Sequence, residues 1–213
     1  MSFRRCSILL CLLLAASGAF AQKADVAFIA GGAFASDGKV FNGIVCITAP
    51  CPNTVTVQTA DHGFFAGAVA YRLASFKLAS LHVELPLAGV PSSSVTIGFS
   101  PALVEKFSSV FITPSLRVKL APNAVISPFA SVGGGWARYN NGADAHSKAA
   151  FQVGGGLDIK TPLHYLGFRA EARDFITGQP DFGLVFATTT GAGSSVQERR
   201  HNLLAGGGIV LRF

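Results

Sequence analysis

The chain has 213 residues, of which 50% are hydrophobic and 13% charged, with a formal net charge of +6. Its mean hydropathy of +0.45 is high for a water-soluble protein, yet after Ala21 no stretch nears the ~18 continuous apolar residues of a bilayer-spanning helix. The Lys and Arg residues are scattered rather than clustered, which speaks against nucleic acid as a partner.

In chain order, the first segment is "MSFRRCSILLCLLLAASGAFA". Arg4 and Arg5 form a basic start, Cys6 to Ala16 an apolar run, and Ala19-Phe20-Ala21 a small-x-small cleavage site. This pattern predicts a cleaved export signal over 1–21 and a single domain over 22–213. Loss of Arg4 and Arg5 lowers the net charge from +6 to +4. Two of the four cysteines leave with the signal. Cys46 and Cys51, in "CITAPC", are expected to form a disulfide closing a small loop, as befits an exported chain.

From there on the pattern is period-two alternation, in pieces of about ten residues separated by turn residues. Eight pieces are predicted, at 25–36, 61–74, 76–88, 108–120, 125–138, 149–160, 164–176 and 201–213. The connections run long, short, long, short, long, short, long. The long ones include one from Gly89 to about Phe107, and the short ones include "APNA" at 121–124 and "TPL" at 161–163. That rhythm predicts an all-β fold, an eight-stranded antiparallel up-and-down transmembrane barrel. In lipid every backbone N–H and C=O needs a partner within the protein, so strands cross only as a closed barrel.

The alternation also assigns the faces. In "FITPSLRVKL" (111–120), Ile112, Pro114, Leu116, Val118 and Leu120 oppose Thr113, Ser115, Arg117 and Lys119. In "LHVELPL" (81–87), the leucines and Val83 oppose His82 and Glu84; in "LGFRAEARDF" (166–175), Leu166, Phe168, Ala170 and Ala172 oppose Arg169, Glu171 and Arg173. A charged side chain facing mid-bilayer costs about 2–4 kcal/mol for Arg or Lys, so the charges are predicted to point inward. Eight strands leave an interior just wide enough for side chains. His82, Glu84, Arg117, Lys119, Asp158, Arg169, Glu171, Arg173 and Arg212 are therefore expected to form a salt-bridge and hydrogen-bond plug, because an unpaired buried charge is costly.

Other features take structural readings. Three glycine triplets, 133–135, 154–156 and 206–208, lack the Lys-Ser/Thr and helix start of a phosphate loop and are read as relief of crowding in a narrow barrel. Tyr71, Trp136, Tyr139 and Tyr165 are expected in the interfacial aromatic belts. The last strand ends on the outward row Ile209, Leu211, Phe213, a terminal pattern by which such barrels are recognised for assembly. No catalytic, cofactor or metal site is expected: His146 with Ser147, His201, and His62 beside Asp61 do not form a His-x-Ser strand motif.

The ordered segments "SPFASVGGGWARY" (127–139), "FQVGGGLDIK" (151–160), "LGFRAEARDF" (166–175) and "AGGGIVLRF" (205–213) resemble the small eight-stranded outer-membrane barrel family of the OmpA/OmpX/opacity-protein type. The resemblance implies an outer-membrane location in a Gram-negative-type envelope and a non-enzymatic structural or surface-interaction role through four external loops. It implies outer-membrane lipid, lipopolysaccharide, the barrel-assembly machinery, periplasmic chaperones and an external loop partner as partners. No room is expected after Phe213 for a periplasmic peptidoglycan-binding domain. The rival readings are a narrow or lateral pore for small or apolar solutes, a lipid A-modifying enzyme, and a soluble exported β-protein.

Overall fold

A computed structural model describes residues 23–36, 38–41, 54–97, 103–142, 145–178 and 199–213. The strands are β1 Ala24–Ala35, β2 Gly38–Phe41, β3 Thr54–Thr59, β4 His62–Ser75, β5 Ala79–Ile97, β6 Leu103–Ile112, β7 Ser115–Leu120, β8 Ile126–Asn140, β9 Ala145–Lys160, β10 Leu166–Gly178 and β11 Arg199–Arg212. No helix among the described residues is long and apolar enough to cross a membrane.

Every neighbouring pair is antiparallel, and β1 pairs with both β4 and β11, which closes the sheet. Eight barrel strands result: β1, β4, β5, β6 continued by β7, β8, β9, β10 and β11. The break between β6 and β7 falls at Thr113 and Pro114, where proline offers no N–H to the ladder. Going once around the barrel, the register passes from Ala35 through Asn202, Phe175, Gln152, Gly133, Ser115, Glu84 and Ala70 to Asp25. It returns ten residues lower on the starting strand. This stagger is the shear that tilts the strands and sets the bore of an eight-stranded barrel.

The two ends differ. At the turn end the connections are short, as in the turn closed by Phe76 N donating to Ala79 O at 2.7 Å. The opposite, hairpin end is much taller on one side. The sequence reading makes 89–107 a loop, but β5 and β6 carry the ladder on to Ile97 paired with Leu103. The long connection after the first strand is also strand in part, because β2 and β3 prolong β1 and β4 in the same registers. In "VPSSSVTI" and "LVEKFSS" polar and apolar residues mix on both faces, so hydrophobic pattern alone does not reveal these strands; continuous backbone pairing forms them. Cys46, Cys51 and the 1–21 segment lie outside the described residues.

The outward face carries the apolar side chains the alternation assigns to it, including Phe28, Val69, Leu85, Leu116, Val118 and Phe168. At ~25 cal/mol per Å² of apolar surface removed from water, such a belt is stable only against an apolar medium. The last strand fits this pattern: Ile209 and Phe213 face outward, and Val210 is fully buried inside. Phe213 N donates to Ala24 O at 2.9 Å, which makes the last rung of the seam between β1 and β11.

Candidate functional site

The turn-end half of the lumen is filled by one ion network. Glu84, on β5, accepts from three arginines through a single oxygen, Oε1: from Arg173 Nη2 at 3.0 Å, Arg169 Nη1 at 3.3 Å and Arg117 Nη1 at 3.4 Å. Arg117 donates its other terminal nitrogen to Asp25 at 2.9 Å. Arg169 forms a fork to Asp158, Nε to Oδ1 at 2.7 Å and Nη2 to Oδ2 at 3.2 Å. Lys119 binds the same carboxylate. Arg173 grips Glu171 through Nε at 2.7 Å and Nη2 at 2.9 Å. The partners come from β1, β5, β7, β9 and β10, so the network ties strands around the whole circumference.

The charges balance within this group. Arg117, Lys119, Arg169 and Arg173 face Asp25, Glu84, Asp158 and Glu171. All but Asp25 are buried. Phe129 lies in the middle, with the Arg169 guanidinium 4.8 Å and the Arg117 guanidinium 5.5 Å from its ring centre, where the ring face adds an attraction for cations. Balance matters because desolvating a charge costs several kcal/mol, and only well-made pairing offsets it.

Local sequence makes room for these large side chains. A Cβ at Gly154 would lie 2.8 Å from Arg173 Cγ, and one at Gly156 would lie 2.8 Å from Phe129 Cζ. Gly154 and Gly156 thus face the arginine and the ring, and any larger residue at either would displace them.

Above the ion network the lumen changes character. Phe111 and Phe175 stack with ring centres 4.7 Å apart, and Phe107 and Tyr139 pack at 6.1 Å. Arg200 lies 5.4 Å over Phe107 and donates Nε to Asn202 Oδ1 at 3.1 Å. Between the two layers, Gln152 receives from Thr113 Oγ1 at 3.4 Å and donates to Ser131 Oγ at 2.9 Å. This aromatic layer is not predicted by a reading that makes the inward face small or polar. The signal was available in "FSSVF", where Phe107, Ser109 and Phe111 share the inward register.

Of the nine inward charges named from sequence, Glu84, Arg117, Lys119, Asp158, Arg169, Glu171 and Arg173 come together. His82 is buried beside them but bonds to Ser80 Oγ at 3.0 Å. Arg212 stands at the turn-end mouth, outside the paired group, with Nε and Nη2 lacking hydrogen-bond partners. Asp25 is a member that alternation in "ADVAF" could have supplied.

Tyr139 corrects the expected aromatic belt. It is 2% exposed and inside the barrel, its hydroxyl 2.8 Å from Thr177 Oγ1. The physical reason is parity: Phe129, Ser131 and Tyr139 are odd positions on one strand and share the inner face, whereas Trp136 is even and points out, 50% exposed. Tyr165 is exposed, and Tyr71 is half-buried near the turn end.

Of the remaining histidines, His164 is exposed in the turn between β9 and β10, and His62, His146 and His201 stand towards the hairpin end. His201 is 53% exposed on its side chain and donates or accepts through Nδ1 to Asp174 at 2.6 Å on the outer face. His62 Nδ1 bonds to Ala60 O at 2.6 Å. His146 is half-buried. No group of three or more metal-ligating side chains occurs among the described residues.

No protein-family model and no curated protein matches the sequence. Among solved structures, the outer membrane protein OprG from Pseudomonas aeruginosa is similar with a TM-score of 0.57 at 10% identity, over 91% of this chain and 97% of that one. Neisserial surface protein A matches with a TM-score of 0.47 at 12% identity, over 89% and 97% of the two chains. AlkL, an outer membrane protein solved in lipid bilayers, matches with 0.46 at 14% identity, over 91% and 92%. At these identities the likeness is one of fold, and the fold is that of the small eight-stranded outer-membrane barrels.

Proposed function

We propose that this chain is an outer-membrane barrel that does not conduct along its axis and that works through its external surface. One observation carries the reading: a charge-balanced network, tied to five strands, fills the lumen at the turn end. An ion crossing that layer would have to separate paired charges in a medium where each pair is worth far more than in water. The lumen is then a strut, and what remains for function is the outside. The apolar belt suits lipid and lipopolysaccharide, and the tall sheet of β2, β3, β5 and β6 suits contact with an external partner. The short turns face the periplasm in this orientation, as they do in barrels of this kind. The role is read as non-enzymatic: where the lumen does bring a hydroxyl to an imidazole, Ser80 Oγ to His82 Nε2 at 3.0 Å, both side chains are buried.

The test is a variant in which residues 91–106 are replaced by a two-residue turn. It should remain in the carbonate-resistant outer-membrane fraction in its heat-resistant form and lose capture of the surface partners that the parent retains. Loss from the membrane fraction would count against hairpins that are separate from the barrel.

A second reading, a sideways route for small apolar solutes, is favoured by one feature. The ladder between the first two barrel strands lapses between the pairs Ala33–His62 and Gly38–Val57. There Ser36 N turns to His201 O and Ala60 N to Ser94 O. A small recess of about 20 Å³ lies behind it, lined by Ala33, Phe107, Phe111 and Leu204 together with the polar Arg200 and Asn202.

A further inference from the structure

Charge is distributed unevenly between the two ends of the barrel. Of the eleven Asp and Glu residues, Asp25, Glu84, Asp158 and Glu171 are spoken for inside the ion network. Asp61, Glu105 and Asp174 stand at hairpin-end positions. The other four fall in sequence between β1 and β2, between β8 and β9, and between β10 and β11. Among the described residues, the turn end thus has no side-chain carboxylate outside the network. It carries Lys23, Arg72, Lys77, Lys160 and Arg212.

Arg212 is the focus of that imbalance. Its register partner across the seam is Asp25, but Asp25 has turned to Arg117. Arg212 Nη2 lies against Gly167, whose ladder partner is Lys160, and Lys119 enters the same end of the lumen from β7. Nε and Nη2 of Arg212 have no hydrogen-bond partner. These two nitrogens form the side-on fork of a guanidinium, whose two parallel N–H groups match a pair of oxygens on phosphate or carboxylate. Gly167 permits the placement, since a Cβ there would lie 2.7 Å from Nη2. Both nitrogens are buried against Gly167, while Arg212 as a whole is partly exposed at the mouth, and the fork meets an incoming anion once the side chain swings off Gly167.

We propose that the turn-end mouth of the barrel is a binding site for a phosphate-type oxyanion, gripped by Arg212, with Lys160 at its side and Lys119 behind. The chemistry is shared by free phosphate and by the headgroup of an anionic phospholipid in the leaflet at that end. Only the identification of that leaflet as periplasmic rests on the outer-membrane reading; binding itself does not.

The test uses the refolded full mature chain in an uncharged maltoside detergent, with folding verified by its heat-resistant gel form. Inorganic phosphate is titrated by ³¹P NMR at constant ionic strength held with chloride. In parallel, the melting of the heat-resistant form is compared in phosphatidylglycerol and phosphatidylcholine vesicles. Saturable phosphate broadening, weakened about tenfold in Arg212→Gln and in Lys160→Gln but unchanged in Lys106→Gln at the other end, identifies a site for free oxyanion. Stabilisation only by phosphatidylglycerol, lost in the same two variants, identifies a lipid headgroup as the occupant. Lys160 lies outside the terminal assembly strand, so its variant remains informative if Arg212→Gln folds poorly. Absence of both effects in the parent, or effects of equal size in all three variants, overturns the proposal.

Discussion

Glu84 is the residue on which the interior depends most. One of its oxygens receives three arginines from two strands, whereas Glu171 is held closely only by Arg173, with Arg169 at 3.9 Å. Removing a partner from a buried ion pair costs about 3–5 kcal/mol because the other charge is stranded. Glu84→Ala is therefore expected to lower the temperature at which the heat-resistant gel form is lost more than Glu171→Ala does. Glu84→Gln should fall between Glu84→Ala and the parent, since it keeps an acceptor. If Glu171→Ala proves the more damaging, the hub lies elsewhere. Tyr139 gives a smaller effect at the same scale. Tyr139→Phe removes a hydroxyl beside Thr177 and within 3.5 Å of Asn202 Nδ2. It should cost about 1 kcal/mol by the same gel assay, while Trp136→Phe on the lipid face should cost less. Equal effects would mean that Tyr139 faces outward after all.

Single strands show how the glycines and the chain end act. Gly156→Val would press a side chain into the Ala170 carbonyl and the Phe129 ring, whereas a Cβ at Gly207 meets nothing closer than Arg169 O at 3.6 Å. Gly156→Val should abolish assembly and Gly207→Val should leave it near normal, read by outer-membrane yield. Deleting Phe213 removes the last rung to Ala24 and the end of the outward row, and should send the protein to periplasmic aggregates. Normal yield would contradict that role. Strand existence and facing were readable wherever one face is charged and the other apolar, as at Arg117 and Lys119 between Leu116, Val118 and Leu120. Two things were not readable. The upper parts of β5 and β6 mix polar and apolar residues on both faces, so no clean alternation marks them and only pairing creates them. Residue type assigns Tyr139 to the interfacial belt, although its parity with Phe129 points inward. Which acid would serve which base was likewise beyond the sequence, because the partners are set by the ten-residue stagger around the barrel, a property of closure that no single strand contains.

At the scale of the whole molecule, the barrel is layered along its axis: a basic mouth, a neutral ion network, an aromatic layer, and a tall open sheet. The neutral layer is the central element, since it makes the barrel a closed strut and moves function to its surfaces. Single-channel recording in a planar bilayer tests this most directly. The parent is expected to give no discrete conductance steps, and Glu84→Ala to give flickering openings as the stranded arginines admit water. Stable, well-resolved steps from the parent, unchanged in Glu84→Ala, would contradict the account and make the lumen an open pore.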